Sequence, residues 1–296
     1  MSIYPTTAPL TSQRKVTVYG QPQHDPETYD VVFSGQALPD DWTALEEVTG
    51  TVALAPNATL LTVSLEEDLA GLQGPEETHA SFDAVLDATI LKPRDLSSDV
   101  GNRVTTLSLK FETDSGYAYA VRSITGDASE FSASIGTGSQ TYSSSMRLDD
   151  LISLGKEVDS STSLRVLRHA QYVWIYAGDT LLLRAVNFPD DEEGQLTIQL
   201  YNLTGDQATA VLVRRLHIGS HAMIGTELLE NKTDVERERI EGTVPKGDLD
   251  DLGTHSVTSF GPWGSESEAD AFTYTLDPTI KIGQGRRGSL TLLMRR

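Results

Sequence analysis

The sequence predicts an all-β protein built on an antiparallel sandwich, and three observations carry that reading. The stretch 163–202 holds the densest run of β-formers in the chain, with Leu164, Val166, Tyr172, Trp174, Ile175, Leu181, Leu183, Leu196, Ile198 and Leu200 in short runs. Its breaks at His169-Ala170-Gln171, Ala177-Gly178-Asp179 and Pro189-Asp190-Asp191 are turn chemistry, because glycine takes positive φ, aspartate bonds its own backbone and proline ends a ladder. The stretch therefore reads as a meander of three or four strands. In 81–91, Phe82, Ala84, Leu86, Ala88 and Ile90 share one face while Asp83, Val85, Asp87 and Thr89 share the other. Leu107, Leu109 and Phe111 repeat the pattern opposite Thr106, Ser108, Lys110 and Glu112. No long segment carries the 3.6-residue period that an α/β enzyme needs for its crossover helices.

The elements follow in order. Residues 1–30 carry Pro5, Pro9, Pro22 and Pro26 around one strand at 15–19, and read as an arm that docks on a neighbour or on the main domain, or as a frayed terminus. From 31 the text runs through Phe33-Ser34-Gly35, Leu38-Pro39-Asp40-Asp41-Trp42 and short strands at 51–54 and 60–63. Trp42 is expected in the core, where an aromatic ring delivers large apolar area at low entropy cost. Gly71, Gly74 and Pro75 mark a polar loop over 66–77, and 92–102 is a long connection. Strands at 117–124 and 131–135 follow, with turns at Gly116 and Gly126-Asp127. Residues 147–156 predict a short helix with Leu148, Leu151 and Leu154 on one side and Gly155 as its stop. After the meander, 208–218 supplies a closing strand. The charged run 226–242 fits a helix capped by Thr233 or Asp234, or a strand pair with Val235, Arg237 and Arg239 on one face. Strand-like pieces at 254–260, 271–276 and 289–294 favour β. The expected organisation is an arm over 1–30, a sandwich over 31–218 and a β-rich attachment or oligomerisation module over 219–296. That last part is too small and polar to stand comfortably alone, so it is expected to complete its core against another copy or a partner.

Composition narrows the function classes. With 296 residues and no cysteine, the chain can bury a core without disulfides and cannot build a thiolate zinc site. A formal charge of −20 disfavours nucleic acid and anionic membrane surfaces, which need dense cationic faces. No apolar run approaches the roughly 18 residues that span a bilayer, so no membrane insertion is expected. The acidic, lysine-poor balance fits either a halophilic setting, where salt screens dense carboxylates, or an ordinary acidic protein. Against it stand Arg286-Arg287 and Arg295-Arg296, a cationic end suited to docking on an anionic neighbour. The N-terminus shows no charged n-region followed by an apolar h-region, so no Sec signal is expected.

The opening around Phe33 and Trp42, the strand rhythm, and the closing Leu212-Val213-Arg214-Arg215-Leu216-His217-Ile218 resemble the concanavalin-like and laminin-G-like jelly-roll family over 31–218. The resemblance implies that the tryptophan packs under a sheet edge and that the last strand returns beside the first. Glycoside hydrolases of that family carry Glu-x-Asp-x-x-Glu on one strand, whereas the nearest run here, Glu112-Thr113-Asp114, lacks the third acid. A sandwich between an arm and a β-rich tail, without a signal, also resembles structural proteins of tailed viruses, either phage or haloarchaeal. That resemblance implies a non-enzymatic virion protein on the capsid surface or tail tip, partnered by other virion proteins and by copies of itself, with host surface glycan as a ligand. The alternatives are a carbohydrate-binding module of a cell-surface protein, or a glycoside hydrolase.

Candidate site residues are few. Trp263, in Phe260-Gly261-Pro262-Trp263-Gly264, and Tyr117, Tyr119 and Tyr142 are the aromatics expected to stack on sugar rings. His217 and His221 share a metal-ligand spacing only on a helix, and this region reads as a strand end, so no metal site is expected. The runs Asp190-Asp191-Glu192-Glu193 and 248–251 offer oxygen ligands to Ca²⁺ if a loop gathers them. Asn57, Asn202 and Asn231 open N-glycosylation sequons. The Gly-x-Ser-x-Gly, His-Glu-x-x-His, P-loop and EF-hand motifs do not occur.

Overall fold

A computed structural model of the chain describes residues 1–19, 30–46, 48–75, 81–91, 104–125, 128–137, 140–147, 161–190, 192–204, 208–236, 239–262, 264–276, 282–284 and 290–292. It divides into two compact units, one of Asp25–Gly219 and one that joins Met1–His24 to Ser220–Arg296.

The chain begins with β1 (Ser2–Tyr4), β2 (Thr7–Pro9) and β3 (Lys15–Tyr19). The larger unit then runs through β4 (Asp30–Val32), β5 (Thr43–Ala44), β6 (Thr51–Ala55), β7 (Ala58–Val63), β8 (Leu69–Gln73), β9 (Ser81–Leu91), β10 (Val104–Thr113) and β11 (Gly116–Thr125). It continues through β12 (Ala128–Thr137), β13 (Thr141–Arg147), β14 (Ser161–His169), β15 (Tyr172–Ala177), β16 (Thr180–Val186), β17 (Gly194–Thr204) and β18 (Thr209–Gly219). A seven-stranded front sheet has the order β13-β12-β11-β10-β17-β8-β5, and an eight-stranded back sheet the order β16-β15-β14-β9-β18-β7-β6. All the pairings in both are antiparallel.

The alternation read from the sequence fills the space between them. Leu107, Leu109, Phe111, Leu196, Ile198 and Leu200 of the front sheet share one buried cluster with Phe82, Leu86, Leu164, Val166, Val211 and Val213 of the back sheet. Phe82 meets Phe111 edge to face with ring centroids 4.9 Å apart. Ala84, Ala88, Ala118, Ala120 and Ala133 leave room for these larger neighbours, and each fully buried Leu or Phe contributes about 1.5–3 kcal/mol. The unit is an antiparallel β-sandwich of two sheets. Trp42 is 6 % exposed and packs edge to face on Phe33 at 5.5 Å, the core position expected of it. β18 returns beside β4, pairing Leu216 with Val31, so the ends of the unit meet. A bulge at Val213/Arg215 shifts the parity of β18, so Leu216 stays in the core while Arg215 and His217 reach the carboxylate of Asp30.

Two expectations are corrected here. The stretch 163–202 is not one meander: β14, β15 and β16 are consecutive neighbours in the back sheet, but β17 pairs with β10 and β8 in the front sheet. After β16 the chain passes Phe188, buried at 2 % exposure and 6.1 Å from Phe111, before it enters the front sheet in β17. Nor do the described residues of the expected 1–30 arm form one. β1 and β3 join β22 (Arg239–Thr243) and β21 (Glu230–Glu236) in a four-stranded sheet that follows β19 (His221–Ile224) and β20 (Glu227–Leu228). β2 runs parallel to β24 (Gly264–Thr275) in a five-stranded sheet of order β2-β24-β23-β19-β20, where β23 is Gly253–Gly261. Ile3, Ala8, Leu10, Val16 and Val18 close a cluster with Ala222, Ile224, Ile240, Val257 and Phe272. The apolar surface that the C-terminal part lacks is therefore supplied by the start of the same chain.

The described part of the charged run 226–242 is β, in strands β20 to β22, with Leu228, Leu229 and Ile240 buried. The helix expected over 147–156 lies outside the described residues after Arg147, which ends β13. Arg286, Arg287, Arg295 and Arg296 also lie outside them.

Candidate functional site

The outward face of the front sheet gathers the candidate residues. On β11, Ala118 and Ala120 enter the core, so the intervening Tyr117 and Tyr119 stand on the other side, each partly exposed. Cross-strand register places Tyr117 between Glu112 and Gly136, and Tyr119 between Lys110 and Ser134. The two rings stack at 4.6 Å with their planes 20° apart. Gly136 makes this possible, since a Cβ there would lie 2.3 Å from Cε1 of Tyr117. The ring thus lies against the bare backbone of β12, and its hydroxyl sits 3.5 Å from the Thr141 hydroxyl on β13.

Charge borders the rings on one side. The Lys110 ammonium is 5.1 Å from the centroid of Tyr119 and pairs with Glu112. Burial alone would lower the pKa of Lys110, but the hydrogen bond and attraction from Glu112, joined by Tyr119, outweigh it and raise the value, so the lysine stays charged. On the other side the neighbours are short hydroxyls: Ser134 pairs with Ser143 and Ser132 with Ser145. Thr197, Gln195 and Gln199 extend the face across β17. The result is an aromatic platform with hydrogen-bond donors and acceptors around it.

Among the described residues, the acids on this face are far apart. Glu112 sits beside Tyr117, whereas Glu130 pairs with Ser123 farther along β11, about 20 Å away at the rise of a strand.

The remaining candidates are dispersed. Tyr142 pairs with Ile135, a core residue, so it stands on the opposite face of the sheet from Tyr117 and Tyr119, at the edge strand, where its hydroxyl reaches Gln140. Trp263 lies outside the described residues. Asn57 is exposed in the tight turn between β6 and β7, and Asn231 is exposed on β21. Asn202 is corrected as a glycosylation acceptor, because it is 1 % exposed and its amide donates to the Leu65 carbonyl at 2.8 Å. His217 is bonded to Asp30 at 2.6 Å, and His221 is buried with Nδ1 accepting from the Ala222 N–H at 2.9 Å. Among the described residues no three His, Asp or Glu side chains converge to hold a metal ion. The acidic runs are used locally instead. Asp251 accepts from the Asp248 N–H at 2.8 Å, and Glu192 accepts from both the hydroxyl and the N–H of Ser115; the Ser115 hydroxyl, then that of Thr113, draw its carboxyl below the usual range.

Sequence reasoning missed a buried ion pair and a buried arginine. Asp83 and Arg165, both on the outward face of the back sheet, form a bidentate pair at 2.6 and 2.7 Å, with side chains 2 % and 15 % exposed. Arg165 also lies 4.9 Å from the ring of Tyr176. Burial works to lower its pKa, and Asp83 outweighs that to raise it. Arg168 points the other way, into the sandwich, fully buried between Phe111 at 5.0 Å and Phe188 at 5.3 Å. Its Nη2 donates to the Pro189 carbonyl at 2.6 Å, which fastens the connection between the sheets. Burial pushes its pKa down to about 10 against the pull of Glu192 and Asp190. The alternation around Leu164 and Val166 puts residue 168 on the inward face, which was a usable signal.

No family model and no curated protein matches the chain. Similar solved structures include the beta-glucanase of Bacillus licheniformis, at 11 % identity over 64 % of this chain and 96 % of that one, with a TM-score of 0.46. The legume lectin-like domain from Entamoeba histolytica shares 13 % identity over 68 % and 95 %, with a TM-score of 0.41. The carbohydrate binding module CBM66 from Bacillus subtilis shares 17 % over 59 % and 94 %, with a TM-score of 0.38. Likeness this distant assigns no activity, and the residues of this chain must carry the functional reading.

Proposed function

We propose that this chain is a non-enzymatic carbohydrate-binding protein whose front sheet holds sugar rings on Tyr117 and Tyr119. The observation that supports it is the stacked tyrosine pair set among hydroxyl, amide and charged side chains. The C–H face of a pyranose packs on an aromatic ring, and its hydroxyls need both donors and acceptors at the rim. Lys110 supplies donors, Glu112 acceptors, and the serines and glutamines both. Binding rather than cleavage is favoured because Glu112 and Glu130 are too far apart for the roughly 5 to 9.5 Å that glycoside hydrolysis requires. Trp263 belongs to the same reading as a further stacking residue.

The test is a glycan array on the intact protein, alongside the Tyr119→Ala and Trp263→Ala variants. Binding that falls in Tyr119→Ala supports the platform. A protein that binds no glycan, or binds equally well in that variant, overturns it. New reducing ends after incubation with a bound polysaccharide would favour the glycoside hydrolase alternative. Placement on a virus particle, with other virion proteins and further copies of the chain as partners, rests on the sequence alone, and the carbohydrate reading does not depend on it. Its presence in purified particles, and a native mass above that of one chain, are the measurements that bear on it.

A further inference from the structure

The smaller unit carries a cavity that the sandwich reading does not use. It measures about 550 Å³ and opens on its four-stranded sheet beside Tyr4, Lys15, Thr17, Asn231 and Glu241. Two interruptions of the sheet create it. β1 stops at Tyr4, which pairs with Thr17, and Pro5 follows, so Lys15 has no strand beside it on that side. On the far side β21 bulges between Glu230 and Thr233, and Asn231 takes φ 48°, which turns its side chain out of the ladder.

The chemistry of the lining is mixed in a specific way. Tyr4 is 73 % exposed, the most exposed large hydrophobic residue of the described chain, and with Pro5 it forms an apolar wall. Tyr4, Thr17 and Glu241 lie in one cross-strand row, so a hydroxyl stands beside the ring and a carboxylate one strand beyond it. Glu241 is steadied by Arg239 at 3.3 Å. Lys15 adds an ammonium, Thr243 a hydroxyl and Asn231 an amide. An open cavity of the usual ligand-site size, about 300–1,000 Å³, with one aromatic face and donors and acceptors of both charges, matches a small polyhydroxylated ring. It fits poorly with an apolar ligand, which would leave those polar groups unpaired.

We propose that this cavity is a second saccharide site, with Tyr4 as the stacking residue and Lys15, Asn231 and Glu241 as hydrogen-bonding partners. The ligand class rests on the carbohydrate reading of the whole chain, while the place is independent of the front sheet. The experiment is saturation-transfer NMR followed by calorimetry on the full chain. The probes are free glucose, galactose, mannose, N-acetylglucosamine and cellobiose, tested against wild type, Tyr4→Ser, Glu241→Gln and Tyr119→Ala. The expected result is that at least one probe binds wild type and Tyr119→Ala alike, and binds roughly tenfold more weakly to Tyr4→Ser and Glu241→Gln. Unchanged affinity in Tyr4→Ser and Glu241→Gln overturns the cavity, and if Tyr119→Ala then abolishes binding, the front-sheet reading stands alone. Loss in the cavity variants without any loss in Tyr119→Ala upholds the cavity as a place separate from the front sheet, which the glycan array tests by itself. No binding of any probe to wild type overturns the cavity, and the glycan array then decides the front sheet separately. Tyr4 lies at the surface, so unchanged thermal unfolding of Tyr4→Ser separates lost binding from lost folding.

Discussion

Replacing Asp83 by alanine leaves the Arg165 guanidinium with its cation and without its bidentate partner. The pair is held at 2.6 and 2.7 Å with the carboxylate side chain 2 % exposed, so water supplies almost none of its solvation. Breaking a buried pair from one side costs about 3–5 kcal/mol, because the remaining charge is stranded. Arg165 retains 15 % exposure and the ring of Tyr176 at 4.9 Å, which soften that penalty, so the lower end, about 3 kcal/mol, is expected. For a unit of this size that corresponds to a fall in Tm of about 6–12 °C. Removing both charges together, as Asp83→Val with Arg165→Met, restores apolar packing and brings stability back to within about 1 kcal/mol of wild type. Urea denaturation followed by tryptophan fluorescence, with calorimetry for Tm, measures wild type, Asp83→Ala and the double variant. The reasoning is refuted if Asp83→Ala costs under about 1 kcal/mol, or if the double variant is no more stable than the single one.

Other perturbations separate site from scaffold. Gly136→Ala places a Cβ 2.3 Å from the Tyr117 ring and lifts it from the platform, so glycan binding should fall roughly tenfold in calorimetry while Tyr117 itself remains. Arg168→Met keeps volume between Phe111 and Phe188 and removes a buried cation, so stability should change by less than about 1 kcal/mol, whereas Arg168→Ala should cost about 2–4 kcal/mol by urea titration. Burial raises the pKa of Asp30, but hydrogen bonds and attraction from Arg215 and His217 outweigh it and hold the folded value below the ordinary 3.8. Its stabilising share is therefore present above that value and fades as pH falls through the folded one. The stability gap between wild type and Asp30→Asn should accordingly be full near neutrality and close in acid. Produced in a glycosylating host, the folded chain should carry mass at Asn57 or Asn231 in peptide mapping and none at Asn202, whose amide is sealed in the core.

Much of the sandwich was legible because its strands alternate. Phe82 to Ala88 and Leu107 to Phe111 announce both their fold and their buried face, and a tryptophan near a sheet edge has few places to go but inward. What alternation does not contain is partnership. Nothing local to Lys15–Tyr19 says that it pairs with Arg239–Thr243, more than two hundred positions away. Nothing in the β-formers on either side of Pro189 says that the chain changes sheets there. The site divides in the same way. Tyr117 and Tyr119 are two apart on one strand, so their shared face could be read directly, whereas Tyr142 sits in a strand of serines without alternation. Its face is fixed only by the register with Ile135. The cavity at Tyr4 depends on a strand that stops and another that bulges, both of them long-range events.

Because the first and last stretches of the chain belong to a single unit, the sandwich is in effect an insertion within its smaller companion. A ribosome would release everything needed for the larger unit well before the smaller one could assemble, since β1 to β3 must wait for β21 to β24 to emerge. Clipping either terminus would therefore injure the same unit and spare the sandwich. A chain cut back at both ends to the Asp25–Gly219 boundaries would lose no sandwich strand.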